Sequence, residues 1–210
     1  MGILLPFQLN FPPDTPNFHH RYLETLMKLS ARIVIILYIV LMLTPIKLLS
    51  QFSLTLVEQK IAVDHPVQHR AVNELKQQLA GGDSLLPLFF DVRESPEYRI
   101  SHLQDAIRVS PDMKAEAFMK AYGALLAGRE AVFYCSVGKR SAIFIERIAD
   151  AADSSGVIAL MNLRGGIFRW YNSGMPVYND SGLTNDIHPY NKKWGLLVDL
   201  RPGAKFPERP

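Results

Sequence analysis

The sequence contains a single cysteine, Cys135, among 210 residues. One thiol cannot form a disulfide within the chain or a metal site made of several cysteines. It can be a buried inert thiol, an intermolecular link or a reactive nucleophile. We expect no metal and no cofactor. Clustered basic charge is also lacking, since the formal net charge is only +3 and the lysines and arginines are dispersed, which argues against a nucleic-acid partner.

Charge is absent altogether from Ile33 to Ile46, and the apolar character continues beyond Lys47. Because a lysine can extend its charged end toward the membrane surface, residues 33–52 reach about the 20 residues that span a bilayer. We therefore predict a single transmembrane helix or signal-anchor there, with the membrane as a partner. The alternative is a buried helix of a soluble protein, although this run is apolar on every face.

Basic residues are somewhat more frequent before the apolar segment than after it. This bias favours an N-terminus on the cytoplasmic side and a single-pass protein whose domain lies on the extracytoplasmic (periplasmic) side. Two alternatives stay open: an exported soluble protein after signal cleavage, and a domain on the cytoplasmic face of the membrane.

Apolar runs and helical spacings alternate through the rest of the chain. Helices are predicted at 71–79, 114–126 and 141–152, and strands at 85–90, 106–109, 131–134 and 157–162. This alternation is typical of an α/β sandwich with a mainly parallel sheet and helices on both faces. Ligands of such folds bind at the carboxyl ends of the strands.

Cys135 lies at such a strand end, before a helix that is predicted to begin at Ser141. Helix N-terminal amides carry partial positive charge, and a tight loop containing Gly138 can turn successive N–H groups toward one centre. Lys139 and Arg140 add cationic charge, so the loop favours a thiolate nucleophile and an anionic ligand. The alternative is a buried structural thiol beside solvated loop charges.

Three separated segments, Asp91–Leu103, Cys135–Ser141 and Leu163–Val177, together resemble the rhodanese family. Asp91–Leu103 is similar to its D-V-R-x-x-x-E-Y-x-x-G-H-I segment, Cys135–Ser141 to its C-x-x-G-x-R-S loop, and Leu163–Val177 to its L-x-G-G-x-x-x-W…G-x-P-V segment. The resemblance extends over about residues 66–179. It implies a rhodanese-like three-layer sandwich, preceded here by one hydrophobic helix. It also implies a sulfurtransferase that moves a sulfane sulfur from a small donor such as thiosulfate, through a Cys135 persulfide, to a thiol or cyanide-like acceptor.

The resemblance assigns roles within these segments. Cys135 is the catalytic nucleophile, and the substrate-binding residues are Ser136, Val137, Gly138, Lys139, Arg140 and Ser141. Structural support is expected from Asp91, Arg93, His102, Gly165, Gly166 and Trp170. The chain departs from the family at residues 101–106, which read S-H-L-Q-D-A instead of G-H-I-P-G-A. We expect a local backbone change there, with little effect on the chemistry.

Two other functions stay open. A dual-specificity cysteine phosphatase needs a C-x-x-x-x-x-R loop, whereas here the arginine follows after four intervening residues. A membrane-tethered rhodanese-fold module for binding or regulation, with little turnover, is compatible with the intact loop. The predicted organisation is a lead-in at 1–32, a transmembrane helix or signal-anchor at 33–52, a linker at 53–65, the rhodanese-like domain at 66–179 and a C-terminal extension at 180–210, with no protein partner assigned.

Overall fold

The computed structural model describes residues 16–81 and 86–207, with side chains except at 16–22, 40–49 and 52. The chain divides into two compact units, Met1–Ile46 and Lys47–Pro210. The helices are α1 (Pro16–Asp64), α2 (Val72–Ala80), α3 (Ser95–Ile100), α4 (Ala115–Leu126), α5 (Lys139–Ala152), α6 (Gly166–Asn172) and α7 (Lys192–Gly195). The strands are β1 (His69–Arg70), β2 (Leu88–Asp91), β3 (Ile107–Arg108), β4 (Glu130–Tyr134), β5 (Ala159–Leu163), β6 (Val177–Asn179) and β7 (Gly182–Thr184).

The described part of the first unit is helical. Large apolar side chains from Ile33 to Ile39 are exposed on it. Among the described residues, no helix has both the length and the hydropathy that a membrane crossing requires. The transmembrane assignment of residues 33–52 is not supported by this result and stays a prediction. Residues 1–15 of the predicted lead-in lie outside the described residues. The rest of the lead-in, from Pro16, is helical.

The second unit is built on a five-stranded sheet in the order β1-β5-β4-β2-β3. All four strand pairings are parallel. This sheet confirms the predicted α/β class. The helices and strands predicted after residue 66 are present with ends shifted by at most three residues, whereas β1, α3, α6, α7 and the β6–β7 hairpin were not predicted.

Side chains of the central strand β4 alternate between two apolar clusters, as the period of two in a strand requires. Ala131 and Phe133 pack with the helices α4 and α5 on one face of the sheet. Val132 and Tyr134 join the cluster on the other face, which includes residues of α2, α6 and the end of α1. Burial on both faces explains why this strand reads as a continuous apolar run.

The packed unit extends beyond the predicted domain ends at 66 and 179. On the N-terminal side, the predicted linker is helical as far as Asp64, and Glu58 pairs with Arg169 of α6, with 2.5 Å between Oε1 and Nε. On the C-terminal side, Ile187 is fully buried and Leu197 is 9% exposed in the same cluster as the α6 aromatic residues. The predicted linker and C-terminal extension therefore complete the core.

Candidate active site

The three sequence motifs follow three neighbouring strands. The first begins at Asp91, where β2 ends, the second at Cys135, directly after β4, and the third at Leu163, where β5 ends. Because β2, β4 and β5 are adjacent and parallel, their carboxyl ends lie at one edge of the sheet. The strand order thus brings together segments that are separated by more than 20 residues in the chain.

The Cys135 sulfur lies at the N-terminal end of helix α5. The Gly138 N–H donates a hydrogen bond to Sγ at 3.2 Å. Gly138 adopts φ +98°, a conformation that favours glycine, and this turns its N–H back toward the sulfur. A Cβ at this position would also lie 3.2 Å from the Leu163 carbonyl oxygen. A main-chain donor and the positive end of the helix dipole therefore both stabilise negative charge on the sulfur.

The third motif supports the Cys135 loop through main-chain hydrogen bonds. The N–H groups of Ile167 and Phe168 donate to the carbonyl oxygens of Cys135 and Ser136, at 2.9 and 3.1 Å. Gly166 has φ +56°, and a Cβ there would lie 2.7 Å from the Ser136 carbonyl oxygen. Gly165, with φ +74°, precedes the helix as its N-cap. Both glycines hold structural positions against the loop.

Asn162 of β5 fixes the other end of the loop. Its Oδ1 accepts a hydrogen bond from Ser141 Oγ at 2.7 Å, and its Nδ2 donates to the Gly138 carbonyl oxygen at 3.0 Å. Ser141 and Asn162 are both fully buried. The structure thus gives the Ser141 hydroxyl a protein partner and places it away from the cavity beside Cys135, whereas the sequence predicts a substrate contact.

Arg140 is held by a buried carboxylate. Its Nη1 and Nη2 donate to Glu97 Oε2 and Oε1 at 2.7 and 2.8 Å, and Nη2 also donates to Ser136 Oγ at 3.0 Å. Ser136 Oγ in turn donates to Glu97 Oε1 at 3.0 Å. Burial alone would raise the pKa of Glu97, but the hydrogen bonds and charge of Arg140 outweigh it and lower that pKa. Arg140 thus has a carboxylate partner and also lines the cavity beside Cys135, and its contact with a substrate stays a prediction.

The first motif contributes a second buried pair behind the loop. Arg93 Nε and Nη2 donate to the two carboxylate oxygens of Asp91 at 2.8 and 2.6 Å, and both side chains are fully buried. His102 Nδ1 lies 2.9 Å from the Leu103 carbonyl oxygen, and its ring stacks on Tyr98. Trp170 Nε1 donates to the Pro176 carbonyl oxygen at 2.8 Å. These residues have protein partners and lie outside the Cys135 cavity.

A cavity of about 140 Å³ opens beside the sulfur. Its floor is formed by residues 135–137, 139 and 140 of the loop, and its outer wall by Tyr190 and Trp194 of the C-terminal segment. Cys135 itself is only 1% exposed. Lys139 is the exposed cation at the mouth.

Sequence reasoning missed four residues of this site. Glu97 stands in the first motif, and its position three residues after Glu94 at a helix start was an available signal. Asn162 is a polar residue inside an otherwise apolar strand, and a buried polar side chain indicates hydrogen bonds to neighbouring segments. Tyr190 and Trp194 lie in a segment without a motif, and their sequence gives no indication that they cover a loop 55 residues earlier.

This arrangement defines a class of protein: an α/β domain that presents one cysteine sulfur at a helix N-terminus, within a loop whose Gly138 N–H donates to that sulfur. The family model described as the Rhodanese-like domain matches residues 71–173. The chain therefore contains a rhodanese-like domain. No curated protein matches the chain.

Solved structures similar to this chain include three rhodanese-related proteins. A rhodanese-related protein from Thermoplasma volcanium is 20% identical over 52% of this chain and 96% of its own, with a TM-score of 0.41. Thiosulfate sulfurtransferase from Pseudomonas aeruginosa is 18% identical over 64% of this chain and 23% of its own, with a TM-score of 0.45. A human single-domain sulfurtransferase is 26% identical over 49% of this chain and 93% of its own, with a TM-score of 0.35.

Proposed function

We propose that the rhodanese-like domain is a sulfurtransferase that carries a sulfane sulfur on Cys135. The observation that carries this proposal is the position of Sγ at the N-terminal end of α5, with the Gly138 N–H 3.2 Å away. A thiolate and a terminal persulfide are both anions, so the same donors stabilise the enzyme before and after the sulfur is bound.

The reaction consists of two displacements at sulfur. In the first, the Cys135 thiolate attacks the outer sulfur of thiosulfate, a new S–S bond forms, and the old S–S bond breaks with its electron pair leaving on sulfite. In the second, a thiolate or cyanide attacks the outer sulfur of the persulfide, and the electron pair of that S–S bond returns to Cys135. No oxidant or metal enters either step.

The charges in the site favour a small anionic donor. Glu97 neutralises Arg140 at 2.7 Å, so among the described residues of the mouth the exposed Lys139 is the cation that a donor can meet. Main-chain N–H groups of the loop supply the remaining positive potential. Lys139 attracts the donor to the mouth, while Arg140 keeps the loop in shape for the attack.

A second candidate, a binding or regulatory module with little turnover, follows from the burial of the sulfur. Cys135 is only 1% exposed, and Tyr190 and Trp194 form the outer wall of its cavity, so little of the sulfur is in contact with solvent. The intact nucleophile and its hydrogen-bond donor favour transfer over binding alone. The two functions differ in whether the persulfide forms and is consumed.

The test uses the full chain and its Cys135→Ser variant. Reduced protein is incubated with thiosulfate, and intact-protein mass spectrometry measures the gain of one sulfur atom. Addition of cyanide should then return the original mass and release thiocyanate. We expect both signals in the wild type and neither in Cys135→Ser. A wild type that shows no added sulfur and no thiocyanate would refute the proposal for this donor.

A further inference from the structure

Tyr190 lies between two cavities. It forms part of the outer wall of the 140 Å³ cavity beside Cys135. It also lines a larger cavity of about 550 Å³ between α3 and the C-terminal segment. The larger cavity has apolar walls at Ile100, Leu196 and Phe206 and cationic side chains at Arg99 and Lys192. Tyr190 therefore lines both a small compartment at the nucleophile and a larger one next to it.

The position of this ring is fixed from two sides. Tyr190 has φ +62°, a left-handed conformation that costs a residue with a side chain roughly 1 kcal/mol or more. Its N–H donates to His188 Nδ1 at 3.0 Å, and burial lowers the pKa of His188, which favours the neutral ring that accepts this bond. The Arg140 guanidinium lies 4.8 Å from the centre of the Tyr190 ring, and Glu97 holds that guanidinium in turn.

The size of the smaller cavity limits what can reach the sulfur. A protein cavity of roughly 150 Å³ holds one benzene molecule. The cavity beside Cys135, at about 140 Å³, therefore accommodates an inorganic anion or a methyl-substituted one, but not an aromatic ring together with a sulfur-bearing head group.

We propose that Tyr190 is a specificity-determining residue that restricts the sulfur donors of Cys135 to small anions by closing its cavity against the larger neighbouring cavity. This inference rests on the proposed sulfurtransferase function and adds the size of the donor to it. Replacing the ring would join the two compartments. The apolar walls and cations of the larger cavity would then receive the organic part of a bulky anionic donor.

Thiosulfonates give a matched pair of donors, because methanethiosulfonate and benzenethiosulfonate share the reactive group and differ in bulk. With either one, the Cys135 thiolate attacks the terminal sulfur, the new S–S bond forms, and the donor S–S bond breaks with its electron pair leaving on the sulfinate. The ratio of kcat/KM for the two donors reports the effect of size and cancels changes in the reactivity of the thiolate.

The experiment measures this ratio for the wild type, Tyr190→Ala and Tyr190→Phe. In Tyr190→Ala we expect kcat/KM for benzenethiosulfonate, relative to methanethiosulfonate, to rise about tenfold or more, the scale on which a pocket discriminates by size. Tyr190→Phe keeps the ring and should keep the wild-type ratio. Tyr190 is 47% exposed, so its removal takes away little buried area and should leave the fold intact.

Leu196→Ala is the control variant, because Leu196 is 76% exposed and lines only the larger cavity. An unchanged ratio in Tyr190→Ala, with methanethiosulfonate still used, would overturn the inference and leave the sulfurtransferase function standing. An equal rise in Leu196→Ala would also overturn it, since loosening of the whole segment would then explain the effect. Absence of persulfide with both donors and with thiosulfate would instead refute the proposed function.

Discussion

The floor and the outer wall of the Cys135 cavity are built in different ways. The floor is residues 135–141, and hydrogen bonds from α6, from Asn162 and from Glu97 hold it on several sides. The wall is residues 188–194, held by a short turn and by a four-residue helix. The difference is that the nucleophile lies on a loop held by hydrogen bonds from other elements, whereas the wall is held mainly by hydrogen bonds within its own turn and helix.

The largest effect is expected from Gly138→Ala, which strains the floor. Gly138 has φ +98°, and a Cβ would meet the Leu163 carbonyl oxygen at 3.2 Å and Asn162 Nδ2 at 3.3 Å. Backbone strain and displacement of the loop together should lower the free energy of unfolding by about 3 kcal/mol. The rate of persulfide formation should fall more than tenfold, because the N–H donor moves away from Sγ. Urea unfolding and mass spectrometry measure the two effects.

Gly156→Ala is the matched control for this change. Gly156 also has positive φ, at +72°, but nothing lies within 4 Å of a Cβ there. Only the backbone penalty of about 1 kcal/mol should remain, and persulfide formation should be unchanged. If both variants lose equal stability and activity, the close packing around residue 138 is not the reason that a glycine is required there.

A smaller effect is expected from Glu97→Gln, which removes the charge that fixes Arg140. The Glu97 side chain is 4% exposed and that of Arg140 is 24% exposed, so solvent screens the pair in part. We expect a loss of about 2 kcal/mol in the free energy of unfolding, less than for a fully buried pair. The control is Glu130→Gln, because the side chains of Glu130 and its partner Arg70 are each about one quarter exposed. Removal of this charge should lower the free energy of unfolding by less than about 1 kcal/mol. Equal losses would contradict the special role of the Glu97 pair.

The same pair predicts an acid-sensitive floor. The pKa of Glu97 is lowered in the folded protein below its ordinary value of 4.5, so the unfolded chain binds the proton first. Stability from this pair is therefore fully present above about pH 4.5 and is lost as pH falls toward the lower folded pKa. The urea midpoint of the wild type should decline over this acid range, and Glu97→Gln should show a smaller decline. Parallel pH profiles of the two proteins would refute this assignment.

The contrast between floor and wall also explains what the sequence can predict. Buried parallel strands such as β4 are predictable because both faces are apolar, and the loop is predictable because Cys135 and Gly138 follow that strand at once. The first strand, of two residues, is too short to produce a pattern. The pairing of Arg140 with Glu97 could not be predicted, because Glu97 is 43 residues away and meets Arg140 only in the folded chain.

The wall could not be predicted for a related reason. Tyr190 and Trp194 stand in a segment rich in proline, asparagine and lysine, whose composition is typical of an exposed tail. Its place over the cavity depends on long-range burial of Ile187 and Leu197. Such contacts leave only single apolar residues in the sequence, without a period, so no pattern predicts how this segment packs.

The smallest effect is expected from loosening the wall with Asn191→Ala. The Asn191 side chain accepts a hydrogen bond from the Trp194 N–H at 3.0 Å and caps the helix that carries this ring. Loss of an N-cap costs about 1 kcal/mol, which raises the population of an opened wall about fivefold if the cost falls on that helix alone. Because the cavity beside Cys135 is too small for an aromatic ring together with a reactive group, alkylation of Cys135 by N-phenylmaleimide requires such opening and should accelerate by a similar factor. Asn179→Ala, which removes a comparable turn bond to the Ser181 N–H at 2.9 Å in the β6–β7 hairpin, should leave the alkylation rate unchanged. A rate that is the same in Asn191→Ala and the wild type would mean that the reagent reaches the sulfur by a path that does not involve the wall, and that floor and wall are not separate controls.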